Sequence, residues 1–465
     1  MTESQRSLGA IEAFGCSISI TAPTLAVAYT TILATQSAGR AAPLAYLIGG
    51  IVVALVGLSF VAFSRRIAHA GSAYAYVGSV IGRRFGFLAG WALLLMYVTF
   101  LAGSTALVGN FGAAALSHVG INRPDSWLVI AATAALTSIW ITQRDTRIAA
   151  RVTLALEGAS VLAILFLSVV VLTRVRLSLL PFWPDRRHGW GGVGYGIVFA
   201  VLSFSGFEGA ATLGEEARAP GRSIPNAILV TVIATTLFYV VVSYAEIVAY
   251  GPGNAQALAD ASAPLDELST RFISGSFASL LDLACATSAF ACVIGSLSAA
   301  ARILFALSRA GLARRLAAAD AKHGTPTRPI FIAGVVNLGS LLLWGAYSSP
   351  TDYSGDIATI GTLALILVYI GVTGTQAISA FRSRRLGWAM LGTAGTVLLL
   401  WPLTNSLYPV PHWPGNLWPY VVTAWLVVGG LADFLRPSAA QFDTDAQKPS
   451  ADPIEESGIH RHVQV

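Results

Sequence analysis

The sequence predicts an all-α polytopic membrane protein, and three observations carry that prediction. Of its 465 residues, 55% are hydrophobic and 11% charged, whereas a soluble domain carries roughly 25% charge. The apolar residues gather into runs near the ~20 residues that a helix needs to cross a bilayer core. Most of the 29 Lys and Arg residues fall between alternate runs, as they do in cytoplasmic loops.

Taken in order, ~12 runs qualify as transmembrane helices on that length rule. They cover 14–36, 43–63, 84–112, 127–143, 153–173, 191–213, 226–249, 276–306, 329–346, 356–379, 386–404 and 416–435. The first has only Arg6 before it and outruns the roughly 7 to 15 apolar residues of a signal-peptide core, so it is expected to be retained. An even count with the basic loops inside puts both termini in the cytoplasm of a plasma (inner) membrane. The loop holding Arg174, Arg176, Arg186 and Arg187 runs against that rule and reads as external. The net charge of +6 is therefore mostly topology, and lipid rather than nucleic acid is the expected surroundings. Trp91, Trp140, Trp183, Trp190, Trp401 and Trp413 stand near run ends, where an interfacial aromatic belt belongs.

Residues 1–435 are expected to form one transmembrane domain. Beyond Arg436 the segment "SAAQFDTDAQKPSADPIEESGIHRHVQV" is polar and acidic, too poor in apolar surface to order itself. It reads as a disordered cytoplasmic tail over 436–465.

An acidic side chain at the centre of a membrane helix costs roughly 2.5 to 3.5 kcal/mol on insertion scales, which singles out Glu157, Glu208, Glu246 and Asp282. Glu246 and Asp282 stand nearer run ends, where water-facing or helix-tying roles are expected. All seven histidines fall in loops or the tail, which argues against haem, an intramembrane metalloprotease or a His relay. Cys16, Cys285 and Cys292 have no metal-ligand spacing. No zinc-protease motif, nucleophile elbow or Lys-ended phosphate loop occurs. An enzyme is disfavoured, and no catalytic residue, cofactor or metal site is expected.

Two runs are interrupted. In the first, "SISITAPTLAVAY", Pro23 removes a backbone donor and clashes with the preceding turn. In the sixth, Gly206 and Gly209 bracket Phe207 and Glu208, and Gly weakens a helix interior. Interrupted membrane helices in corresponding halves of a chain point to a mid-membrane transport site.

The stretch "FSGFEGAATLGEEARAPGRSIPNAI" resembles the sixth helix and following loop of the amino acid, polyamine and organocation transporter superfamily. "SRRIAHAGSAYAYVGSVIGRRFGFLAGW" is similar to that family's second loop, and "AARILFALSRAGLARRLAAADAKHGTPTRPI" to its eighth helix and the loop after it. The resemblance spans roughly 8–435. It implies a leucine-transporter-like fold: a five-plus-five inverted repeat with broken helices one and six. The first repeat would cover about 8–173, the second about 190–380, and two extra helices about 386–435.

The resemblance also implies site residues. Unwound backbone at Ser19, Ile20, Thr21, Ala22 and Pro23 would face Phe204, Ser205, Gly206 and Phe207 across a substrate. Met96, Tyr97, Ser296 and Thr362 would form walls. Family members carry a Gly-x-Gly triplet in helix one, and "TAPT" here departs from it. Glu208 is expected to gate or couple, since a buried carboxyl exchanges protons within the working range, or else to cap broken backbone. Glu157 stands three residues before Ser160, on one helix face. Proton-coupled relatives place a Lys near Ser160, but no span here holds Lys. That leaves Glu157 as a titrating group, a cation among hydroxyls and carbonyls, or a structural hydrogen bond. Arg218, Arg222, Arg302 and Arg309 are candidates to close an inner gate with Glu215 and Glu216.

The expected function is a secondary active permease, symporter or antiporter. It would move an amino acid or related small amine by alternating access, with H+ or Na+ as the coupling ion or by exchange. A polyamine or organocation transporter, and a membrane sensor without flux, are the alternatives.

Overall fold

The computed structural model describes residues 8–435 apart from 119, 122, 124, 145, 262, 317–325, 409, 411 and 412. The expected tail, 436–465, lies outside the described residues. The chain is helical because a lipid-facing backbone must satisfy its own N–H and C=O groups. In order the helices are α1 Ala10–Thr21, α2 Pro23–Ala38, α3 Ala42–Ser64, α4 Ala73–Ile81, α5 Arg83–Ser117, α6 Ser126–Thr142, α7 Thr146–Arg174 and α8 Gly189–Ser203. They continue as α9 Pro220–Tyr250, α10 Ala255–Ala259, α11 Pro264–Phe272, α12 Gly275–Arg309, α13 Thr327–Leu343, α14 Pro350–Arg382, α15 Leu386–Leu407 and α16 Trp418–Phe434.

Among the described residues, ten helical stretches are long and apolar enough to cross a membrane. The first, Ala10–Ser64, is 55 residues long and holds two of the apolar runs, joined through the 3-10 turn Gly39–Ala41. α6 is apolar but has only 17 residues, and it accounts for the run at 127–143. These two features separate the ten stretches from the twelve runs of the sequence.

The most apolar windows of α5 and α12 are each 78% buried, against 28% for α15 and 22% for the stretch holding α16. α5 and α12 are therefore central, and the last two helices turn most of their apolar surface outward. α16 is fastened to α5 through Trp91 and Trp425, stacked with centroids 4.5 Å apart. Each indole N–H donates to the other residue's carbonyl at 2.8 Å. Trp91 is thus a helix-tying residue, a correction to its expected place in the interfacial belt, while Trp140, Trp183, Trp190, Trp401 and Trp413 are exposed.

Two places leave α-helical geometry. Ala22 takes the left-handed conformation with φ +42° between α1 and α2, and Pro23 opens α2. Proline is tolerated there because the first helical position needs no N–H. α8 ends at Ser203, Gly206 has φ +105°, and a 3-10 helix follows over Phe207–Leu213. A Cβ on Gly206 would lie 2.4 Å from Ile20 Cγ2. Glycine is required there twice, by the backbone angle and by the close approach of α1.

Candidate functional site

The two irregular segments touch. Ser17 Oγ donates to Phe207 O at 2.6 Å and accepts from Ala210 N at 3.0 Å. One hydroxyl from α1 therefore bonds both a carbonyl and an amide of the 3-10 helix and ties the two segments together. Cys16 Sγ approaches Gly209 O at 3.6 Å.

Glu208 is fully buried beside this junction. Its Oε1 accepts from Tyr97 Oη at 3.2 Å, and its Oε2 accepts from Tyr369 Oη at 2.7 Å and from Gly206 N at 3.2 Å. Three donors from α5, α14 and the α8 break thus converge on one carboxylate. Phe60, Phe207 and Tyr369 close around it, with pairwise centroid distances of 5.4 to 5.9 Å.

A cavity lies on the α2 side of the first break. Ile20, Thr21 and Ala22, three of the residues singled out above, line it. The other expected contacts do not. Ser19 lines a smaller void with Cys16 and Arg302, and Pro23 lines an apolar void with Glu157. Met96, Tyr97, Phe204, Ser205, Gly206, Phe207 and Ser296 are buried behind the wall. Thr362 is 8% exposed and donates to Ala358 O, one turn beyond the lining.

The wall on α5 is instead Thr99, Phe100, Gly103, Ser104 and Leu107. Their spacing is that of one helix face, and Met96 and Tyr97 lie on the same face one to two turns earlier along α5. Tyr29 and Thr30 of α2, Ser203 of α8, Cys292 of α12 and Ser354 of α14 complete the polar lining. A string of small hydroxyls at helical spacing was the available signal.

Glu157 reaches α2 from α7. Its Oε1 accepts from Thr24 N at 3.1 Å, and Leu25 N donates to Ser288 Oγ at 3.2 Å. Glu157 Oε2 has no partner although the residue is 1% exposed. Ser160 Oγ lies 2.9 Å from Ala284 O and 3.1 Å from Thr287 Oγ1, tying α7 to α12. Glu246, expected to face water or tie helices, is 1% exposed with both carboxylate oxygens unpartnered. Asp282 does tie helices, through His118 Nε2 at 3.1 Å.

Ion pairs close the end of the bundle where α1 begins. Arg302 holds Glu216 in a bidentate pair, with Nε donating to Oε1 at 2.6 Å and Nη2 to Oε2 at 3.2 Å. Arg309 pairs with Glu215, and Arg151 with Glu12 at 2.9 Å. Leu8 and Ala217 form a parallel bridge, with Leu8 N donating to Glu216 O and Arg218 N donating to Leu8 O. Arg218 and Arg222 make no ion pair among the described residues.

Burial alone would raise the Glu215 carboxyl, but the charges of Arg309 and His69 and a bond from Ala70 N hold it below its usual 4.5. A carboxylate with a depressed folded-state pKa contributes its full stability above the unfolded value and loses it as pH falls through the folded one. The melting temperature of the solubilised protein is therefore expected to fall on acidification below about pH 4.5. Glu215→Gln should flatten that fall. Thermal melts taken from neutral pH downward on both proteins check it.

The amino acid permease family model matches residues 17–385. The branched-chain amino acid permease BcaP of Lactococcus lactis subsp. cremoris is 25% identical over 362 residues, covering 73% of this chain and 75% of the relative. The methylthioribose transporter of Bacillus subtilis is 22% identical over 425 residues, 87% of this chain and 88% of that one. Among solved structures, the substrate-bound outward-open state of a Na+-coupled sialic acid symporter aligns with a TM-score of 0.51 at 14% identity. That alignment covers 87% of this chain and 90% of the symporter, a likeness of fold.

Proposed function

The chain belongs to the amino acid permease family and is a multi-pass secondary transporter rather than an enzyme; from that premise we propose that it moves an amino acid or related small amine across the plasma membrane by alternating access. The observation that carries the reading is the cavity at the α1–α2 break, lined by Ile20, Thr21 and Ala22. Interrupted helices with a midplane cavity are how transporters of this architecture build a site.

In this reading the chain crosses the membrane twelve times with both termini cytoplasmic. α1 to α7 and α8 to α14 are inverted repeats, and α15 and α16 are additions. The break-bearing helices rock against a scaffold that includes α5 and α12. Glu216 with Arg302, and Glu215 with Arg309, close the cytoplasmic side, supported by their pairing across the α8–α9 loop and α12. Glu208 and Glu157 are the carboxyls proposed to gate or couple, and H+ or Na+ is the proposed coupling ion.

The test is uptake of labelled amino acids and amines into proteoliposomes under a proton gradient, a sodium gradient, or neither. Uptake of one compound, driven by one gradient, is the expected result. Binding without flux under all three conditions contradicts the reading.

A further inference from the structure

We infer that the substrate of this pocket carries an amine and no carboxylate, because the protein's own side chains and backbone already occupy the amides that the two helix breaks would offer to an anion. The inference rests on the transporter reading above and narrows its substrate class.

An α-helix leaves its first N–H groups without intrahelical partners, and those groups with the helix dipole form an anion site. At α2 every such position is accounted for. Ala22 N donates to Ile18 O at 2.9 Å. Pro23 has no N–H. Thr24 N goes to the Glu157 carboxylate and Leu25 N to Ser288 Oγ. Ala26 N begins the helix ladder, on Ala22 O.

At the second break most amides are taken in the same manner. Phe204 N and Ser205 N donate to Val201 O and Leu202 O, Phe207 N faces Phe204 O, and Gly209 N donates to Gly206 O. Gly206 N is taken by Glu208 Oε2. Each break is thus supplied with a carboxylate by the chain itself, Glu157 at one and Glu208 at the other.

What remains facing the cavity is mostly acceptor. None of its lining residues is Lys, Arg or His among the described residues. A hydroxyl has one proton to give. Thr21 gives its own to Ser17 O at 2.9 Å, and Thr99 to Met96 O at 2.8 Å. Thr30 donates to Ala26 O, Ser203 to Phe199 O, and Ser104 to Cys292 Sγ. Their lone pairs suit an ammonium, as does the carbonyl end of α1 at Ile20 and Thr21, the negative pole of that helix. The hydroxyls of Tyr29 and Ser354 are the neutral donors left, and the lining offers a carboxylate no cation among the described residues.

The experiment uses matched pairs that differ by the carboxylate alone, leucine with 3-methylbutylamine and ornithine with putrescine. Each compound is tested for uptake by wild-type protein in proteoliposomes and as a competitor of its partner. The expected result is flux of an amine, with the parent amino acid at least tenfold weaker as a competitor. Flux of an amino acid that its amine does not inhibit overturns the inference and leaves the transporter reading standing. Flux of no compound of either kind overturns both. Glu157→Ala uncovers the Thr24 amide and is expected to strengthen competition by the amino acid at least tenfold. Unchanged competition in a folded Glu157→Ala protein counts against the capping argument. If that variant fails to fold, the wild-type comparison still decides.

Discussion

Glu208→Ala is expected to abolish uptake and to destabilise the solubilised protein by on the order of 3 kcal/mol or more. The magnitude follows from its partners. Tyr97, Tyr369 and Gly206 each lose an acceptor, and a buried donor left unsatisfied costs roughly 1 to 3 kcal/mol. The same donors come from α5, α14 and the α8 break, so their release also loosens the contact between the broken helix and the scaffold. Glu208→Gln separates the electrostatic role from the packing role. It keeps the size and one acceptor oxygen but turns an N–H₂ group toward a tyrosine hydroxyl. A loss of flux in the Gln variant at near wild-type melting temperature assigns the carboxyl to gating or coupling. Unchanged flux across pH in that variant assigns it to holding the break in shape.

Arg302→Met is the second large effect, and it acts at the end of the bundle where α1 begins. Arg302 is 4% exposed and its Nε and Nη2 both donate to the Glu216 carboxylate. Removing one partner of a buried pair costs roughly 3 to 5 kcal/mol because the other charge is stranded. With the Glu216 side chain 19% exposed, water relieves part of that, so the lower end is expected. Arg302→Met combined with Glu216→Gln should recover most of the loss, since replacing a whole buried pair is often neutral. Cys16 lines the small void behind Arg302, which makes it a native reporter. Thiol labelling of Cys16, resolved by peptide mass spectrometry, is expected to rise in Arg302→Met as that end opens. Equal labelling in both proteins removes this pair from the gate.

The parts of the structure legible from sequence are those written in local, unusual residues. Apolar runs set off by Arg mark the membrane helices, because length and charge placement alone decide crossing. Pro23 and Gly206 mark departures from the α-helix because each residue type has a backbone reason to be there. The cavity walls were less legible. α5 is apolar along its whole length, so nothing in the sequence says at which depth it meets the cavity, and Met96 and Tyr97 proved to lie on the right face but one to two turns before Thr99 and Ser104. The capping of α2 was illegible, because Thr24 and Glu157 are 133 positions apart and a buried Glu says nothing of its partner. Glu246 shows the same limit. Its position near a run end suggested water, yet the fold seals it between helices with both oxygens unpartnered.

The account stands on alternating access at a cavity formed where α1 meets α2. Its most direct test is the steady-state ratio of internal to external solute in proteoliposomes holding the purified protein. Under an imposed ion gradient the account predicts a ratio well above one, falling to one when the gradient is collapsed and absent in Glu208→Ala. A ratio that settles at one whatever the gradient would contradict it and make the protein a passive pathway.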